Sequence, residues 1–203
     1  TMIINDHLEA FAKLIAGWTK MVARLEGNIV WDQIISNAKL KSDGKALFHN
    51  DHGNLGTAAA LSKDNLIAGR KMFRKQTDID GNPIDIAPKF LFVGSDNEVT
   101  TQTLTQATTM PQTTDQVVPE AIRSLVPVYE PRIDKLSEKA WFLFADVNET
   151  MGRGLQYAYL SGFETPRLKE RWGFDYDGVE YRLDHYFGAG LTDYRFAYKN
   201  PGQ

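Results

Sequence analysis

The sequence predicts an α+β fold, and three observations carry that prediction. The chain opens on a long amphipathic helical stretch. It continues through short mixed elements and closes in a β-rich third with period-two alternation and a tight-turn signal. The first and last parts are expected to pack together, since a helix with one apolar stripe and half-buried strands each need a partner.

From Asp6 to about Asn37, apolar residues fall at Leu8, Phe11, Ile15, Trp18, Val22, Leu25 and Ile29. Spacings of three and four place them in one helical stripe, widened by Leu14, Met21 and Val30. Lys13, Lys20, Arg24 and Glu26 fall off it. Asp6 followed by Glu9 reads as a capping box. At ~1.5 Å rise per residue the stretch makes a rod of roughly 45 Å. Gly17 and Gly27 each cost about 1 kcal/mol relative to Ala, so packing rather than propensity must hold it.

A polar turn follows at Lys39, Lys41, Ser42, Asp43 and Gly44, then the apolar island Ala46-Leu47-Phe48 and the loop His49 to Asn54. Ser62 is a good N-cap for a second helix through Leu66, Ile67, Arg70 and Phe73, with its end marked by Asp80-Gly81-Asn82-Pro83. Lys89 to Gly94 reads as a buried strand. Ser95 with Glu98 reads as a capping box opening a Thr-rich helix to about Ala107, and Thr108 to Gln116 as an exposed loop. Ser124 to Glu130, Ala140 to Ala145, Leu155 to Phe163 and Pro166 to Trp172 are strand candidates. Asp177-Gly178 signals a two-residue hairpin turn. Beyond it Val179, Tyr181, Leu183, His185 and Phe187 form the apolar face of a strand. Gly188-Ala189-Gly190 is expected to break that strand and Thr192 to Tyr198 to resume it.

With 203 residues, the chain can form one large domain or two small ones that share a core. The absence of cysteine excludes disulfides, thiolate metal sites and cysteine nucleophiles. A formal net charge of -3 argues against a dominant nucleic-acid-binding face. No apolar run approaches the ~20 residues needed to span a bilayer. His49, Asp51 and His52 are the one tight cluster of metal-ligating types, and with a third ligand they could hold zinc or iron for a metal-dependent hydrolase. The missing third histidine favours hydrogen bonding within a Gly-flanked loop, so no catalytic, cofactor-binding or metal residue is assigned. Aromatic residues crowd the C-terminal part. They either pack a sheet against the long helix or face neighbouring subunits, and a soluble binding module is a further alternative.

The ordered blocks Ile3-Ile4-Asn5-Asp6-His7-Leu8, Asp43-Gly44-Lys45-Ala46-Leu47-Phe48-His49-Asn50-Asp51-His52-Gly53-Asn54-Leu55, Pro88 to Val93, Val128 to Arg132, Tyr157 to Leu160 and Asp184 to Ala189 span nearly the whole chain. In that order they resemble the Mu-like prophage major head subunit family, the major capsid proteins of Mu-type tailed phages. The resemblance implies the Hong Kong ninety-seven-like capsid fold. In it, residues 1–59 would be the spine helix and following loop of a peripheral domain, 60–150 an axial domain, and 151–203 a β-rich return to the peripheral domain. It also implies a structural protein, not an enzyme, whose partners are copies of itself in pentamers and hexamers around packaged DNA that is not bound sequence-specifically. Its place would be the virion, and the host bacterial cytoplasm before assembly. The family's N-terminal arm and extended loop precede the spine helix, so the chain is expected to be a fragment that is a monomer or small oligomer alone.

Overall fold

The structure is a computed structural model that describes residues 10–106, 117–150, 154–173 and 178–203. The chain divides into two compact units, one of Thr1–Gln33 with Tyr157–Gly190, the other of Ile34–Gln156 with Leu191–Gln203. Among the described residues no helix is long and apolar enough to cross a membrane.

The larger unit is built on a four-stranded mixed sheet in the order β2-β1-β3-β8. Its strands are β1 (Pro88–Val93), β2 (Val126–Tyr129), β3 (Trp141–Ala145) and β8 (Ala197–Asn200). β1 runs parallel to β2 and antiparallel to β3, and β3 runs antiparallel to β8. All five residues of β3 are buried, which explains its unbroken apolar run Trp-Phe-Leu-Phe-Ala. One sheet face carries Leu91, Val93, Trp141, Leu143 and Tyr198, and the core closes over it with Leu66, Phe73, Ile122 and Leu125. The other face packs Phe92 on Phe144 at 4.8 Å and Phe48 against Phe142 at 5.5 Å, both pairs tilted. Each such side chain contributes about 1.5–3 kcal/mol on burial.

Helix α2 (Lys63–Arg74) starts where Ser62 Oγ accepts the Asn65 N–H at 3.3 Å, as its sequence predicts. It buries Leu66 and Phe73 and leaves Ile67 exposed. A Cβ at Gly69 would lie 2.9 Å from Leu143 and 3.0 Å from Tyr198, so the glycine sets how closely helix and sheet approach. The helix ends at Arg74, earlier than expected. The Asp78–Asn82 turn is a separate structure closed by the Thr77–Pro83 bridge, with Asp78 accepting the Asp80 and Asn82 N–H groups. Short helices α3 (Glu98–Thr105) and α4 (Glu120–Arg123) complete the unit. The Ser95/Glu98 capping box does not form. Asp134 accepts both the Ser95 hydroxyl and the Ser95 N–H, and a 3-10 turn precedes α3. The loop expected at Thr108 to Gln116 lies outside the described residues.

The other unit carries most of helix α1 (Ala10–Ile35), 26 residues and about 39 Å long. The Asp6/Glu9 capping box and Leu8 lie outside the described residues, as do the side chains of Phe11, Leu14 and Ile15. Of the remaining stripe Val22 is buried and Trp18 and Ile29 are half-buried, but Leu25 is 51% and Met21 64% exposed. Trp31 and Ile34, off the predicted stripe, are buried instead. Strands β5 (Arg167–Trp172) and β6 (Val179–Asp184) pair antiparallel as a two-stranded ribbon. Its ladder closes with the Gly173 N–H donating to the Gly178 carbonyl, so the connection is longer than the expected Asp177-Gly178 turn, and 174–177 lie outside the described residues. A second two-stranded sheet pairs β4 (Leu155–Tyr159) with β7 (Phe187–Leu191). Here the expected break at Gly188-Ala189-Gly190 is corrected. The glycines sit inside β7, where the ladder engages backbone rather than side chains, and the break falls at His185-Tyr186. Nor does Thr192 to Tyr198 resume the strand, because residues 192–196 are irregular and β8 begins at Ala197.

Candidate functional site

The block Asp43 to Asn54 folds as a clasp within the sheet-containing unit. Asn37, at φ 51°, places its side chain to accept the Phe48 N–H at 2.7 Å and to donate to the Phe48 carbonyl at 3.1 Å. That grip, the Lys39–Ala46 bridge and Gly44 at φ 72° close a short loop that buries Leu47 and Phe48. His49 then caps a 3-10 turn, Asn50–His52, its Nδ1 accepting the Asp51 N–H at 3.1 Å. Gly53, at φ 62°, ends the turn in the left-handed region.

His52 is the centre of the clasp. Its side chain is 3% exposed and stacks on Tyr194 at 3.9 Å with the rings 6° from parallel. Its Nδ1 faces the Leu47 carbonyl at 3.1 Å and its Nε2 faces Asp43 Oδ2 at 2.7 Å. Both ring nitrogens thus face polar atoms of the loop itself. The His52 hydrogen bond, helped by the Lys45 N–H, holds the Asp43 carboxyl below the usual carboxylate range. Asn54 also donates to the Leu47 carbonyl at 2.8 Å, and Gln76 donates to the His52 carbonyl at 2.9 Å.

Asp51 is taken up by Lys45, whose Nζ lies 2.6 Å from Oδ2. This contact lowers the Asp51 carboxyl and raises the Lys45 amine. Among the described residues no three His, Cys, Asp or Glu side chains stand together as a metal group. The three sequence candidates are therefore near one another but turned to different partners: His49 to a backbone amide, Asp51 to an ammonium, His52 to a carbonyl and a carboxylate. This chemistry fixes a loop.

Two concavities lie elsewhere. In the same unit a hollow of about 290 Å³ is bounded by Asp78, Ile84, Glu149, Asp193 and Arg195. Its polar groups serve the backbone and each other: Arg195 Nε donates to the Thr77 carbonyl at 2.6 Å, its Nη1 reaches Asp193 at 3.1 Å, and Glu149 accepts the Ala87 N–H at 2.9 Å. In the helix-bearing unit, Trp18, Met21, Leu25, Tyr181, Leu183 and His185 line an open apolar groove of about 660 Å³. Below it Glu26 accepts from His185 Nε2 at 2.7 Å and from the Tyr159 hydroxyl at 3.3 Å. The buried Nδ1 of His185 has no hydrogen-bond partner among the described residues. Burial, and then the Glu26 charge, pushes the Tyr159 hydroxyl up.

The aromatic residues divide accordingly. Trp141, Phe142 and Tyr198 are core, whereas Tyr157, Trp172, Tyr181 and Tyr186 are exposed. Phe174 and Tyr176 lie outside the described residues. The sequence carried no signal for the Glu26–His185 pair, 159 residues apart in the chain, or for Tyr194 beneath His52. A family model described as "Phage capsid protein" matches residues 1–200. No curated protein matches the chain.

Proposed function

The chain belongs to the phage capsid protein family, and from that premise we propose that it is the major head subunit of a Mu-like phage or prophage. The family gives it a structural role in the capsid and a place in the virion. The finer reading is a Hong Kong ninety-seven-like subunit with α1 as spine helix. Residues 1–59 and 151–203 then form the peripheral domain and 60–150 the axial domain. Copies gather as pentamers and hexamers into an icosahedral shell, after synthesis in the bacterial cytoplasm, and the shell encloses DNA without reading its sequence.

The observation that carries this reading is the discontinuous unit that joins 1–33 with 157–190, a long helix beside the β-rich return. Such an arrangement is what a spine helix with a returning peripheral domain requires. The clasp around His52 supports it too, since the side chains of the chain's most distinctive motif are engaged in fixing a loop. The net charge of -3 fits a shell whose inner surface does not clamp DNA. Weak contacts repeated over many copies suffice for a stable shell. Expression of the complete gene product containing this chain, followed by velocity sedimentation and negative-stain microscopy, tests the proposal. Uniform closed particles are expected; a product that sediments only as small oligomers under all salt conditions contradicts it.

A further inference from the structure

The β5–β6 ribbon has two unlike faces, and its register assigns them. Arg167, Lys169 and Arg171 lie opposite Asp184, Arg182 and Glu180 on one side. The directly opposed cations Lys169 and Arg182 are reconciled by Asp184, which both contact, and Arg171 reaches Glu180 at 2.7 Å. The exposed Arg171–Glu180 pair contributes little to stability. On the other side, Leu168 opposes Leu183, Glu170 opposes Tyr181 and Trp172 opposes Val179. Leu183 and Tyr181 line the α1 groove, so this apolar face continues the groove along the ribbon.

That face is left open. Every residue of β5 is exposed, and Trp172 is 74% exposed at the end of the strand. A two-stranded ribbon is marginal in water unless a third layer covers its apolar side. Met21, Leu25, Leu168, Trp172 and Tyr181 are all more than a third exposed here, an open apolar patch of the kind that marks an interaction site. Two groups of opposite sign belong to it, Glu170 on the ribbon face between Leu168 and Trp172, and Arg24 on the groove. Neither makes an ion pair among the described residues.

We propose that a second copy of this chain docks on this face about a two-fold axis, apolar side to apolar side, with Glu170 of each copy against Arg24 of the other. A patch that carries both signs of charge among its apolar side chains is complementary to itself, which is the condition for an isologous contact. The proposal rests on the capsid reading, because a shell subunit must present surfaces to its own copies, and it names which surface one of them is. Trp172 is the anchor, a large aromatic left exposed at the end of the strand.

Sedimentation velocity of the 203-residue chain across the micromolar range tests it, with far-UV circular dichroism showing that each exposed-site variant keeps its fold. Wild type dimerises with concentration. Trp172→Glu and Met21→Glu each weaken the dimer about tenfold or more. Arg24→Glu and Glu170→Arg weaken it singly, and the double reversal restores it, a rescue that loss of general stability does not produce. A chain that stays monomeric throughout, a dimer indifferent to these substitutions, or a double reversal no better than either single one overturns the proposal. The capsid reading is separated by microscopy of the complete gene product. Shells formed equally by wild type and Trp172→Glu reject this surface and leave that reading standing, whereas absence of shells in wild type removes the reading itself.

Discussion

Replacing His52 with alanine removes the ring on which the clasp is built. The side chain is 3% exposed, stacks on Tyr194 at 3.9 Å, and its ring nitrogens face the Leu47 carbonyl and Asp43. Truncating a buried ring leaves a cavity and forfeits the stacking, a loss of about 2–4 kcal/mol. The Leu47 carbonyl keeps its bond from Asn54, so that end of the network is not orphaned and the estimate stays near 3 kcal/mol. For a chain of this length each kcal/mol moves Tm by about 2–4 °C, which gives a fall of roughly 6–12 °C. His52→Phe keeps the ring on Tyr194 but loses the hydrogen bonds of its nitrogens, and should fall between, at about 1–2 kcal/mol. Thermal melts followed by circular dichroism at pH 7, before and after dialysis against a chelator, read the result. An alanine variant within 2 °C of wild type (about one kcal/mol or less) would refute the argument. A wild-type Tm that drops on chelation would replace it with a metal site.

Other expectations can be checked with the same melts. Gly69→Ala gains about 1 kcal/mol of helix propensity but drives a methyl into buried Leu143 and Tyr198, an overpacking cost of about 1–3 kcal/mol, so Tm should fall; a rise would mean that α2 shifts freely on the sheet. Lys199 is pulled below the usual lysine range by burial and makes no ion pair among the described residues, so at pH 7 Lys199→Met should be at least as stable as wild type. Its advantage should shrink as pH climbs through the depressed folded value, where wild type gains stability because the unfolded state holds the extra proton; a constant difference would contradict this. Asp43 is held down by His52, Asp51 by Lys45, Asp78 by the Asn82 N–H, Asp146 by Lys89 and Asp184 by Lys169. Because their folded values lie below the ordinary 3.8, their contribution is complete above that value and is lost as pH falls through the folded values. Stability should therefore be nearly flat from neutral pH to about 5 and decline below 4; a decline that begins well above pH 5 would contradict this.

Much of this was legible because local chemistry marks local structure. Steps of three and four from Trp18 to Ile29 gave α1, Ser62 gave the start of α2, and apolar runs bounded by turn residues gave β1 and β3. What failed depended on partners far along the chain. Ser95 looked like a cap until Asp134, 39 residues on, took its hydroxyl. Met21 and Leu25 have the helical spacing of core residues, and spacing alone does not say whether the chain covers a stripe itself or leaves it open. The three glycyl and alanyl residues of β7 carry no side-chain signal for a strand, yet β4 engages them through the backbone. At the clasp, residue types allowed a metal reading, and only the placement of Asp43, Leu47 and Tyr194 around His52 shows that both ring nitrogens face the loop's own polar atoms.

As a shell subunit, this chain would use its distinctive residues to hold a fold and to make contacts between copies. Particles formed by the complete gene product, reconstructed by cryo-electron microscopy, decide this. Icosahedral shells are expected in which density for this chain repeats around fivefold and sixfold positions, with His52 enclosed by Asp43, Leu47 and Tyr194. The Trp172 ribbon is expected to sit against α1 of a neighbouring copy. Discrete small oligomers, or a metal ion bound between His49, Asp51 and His52, would contradict it.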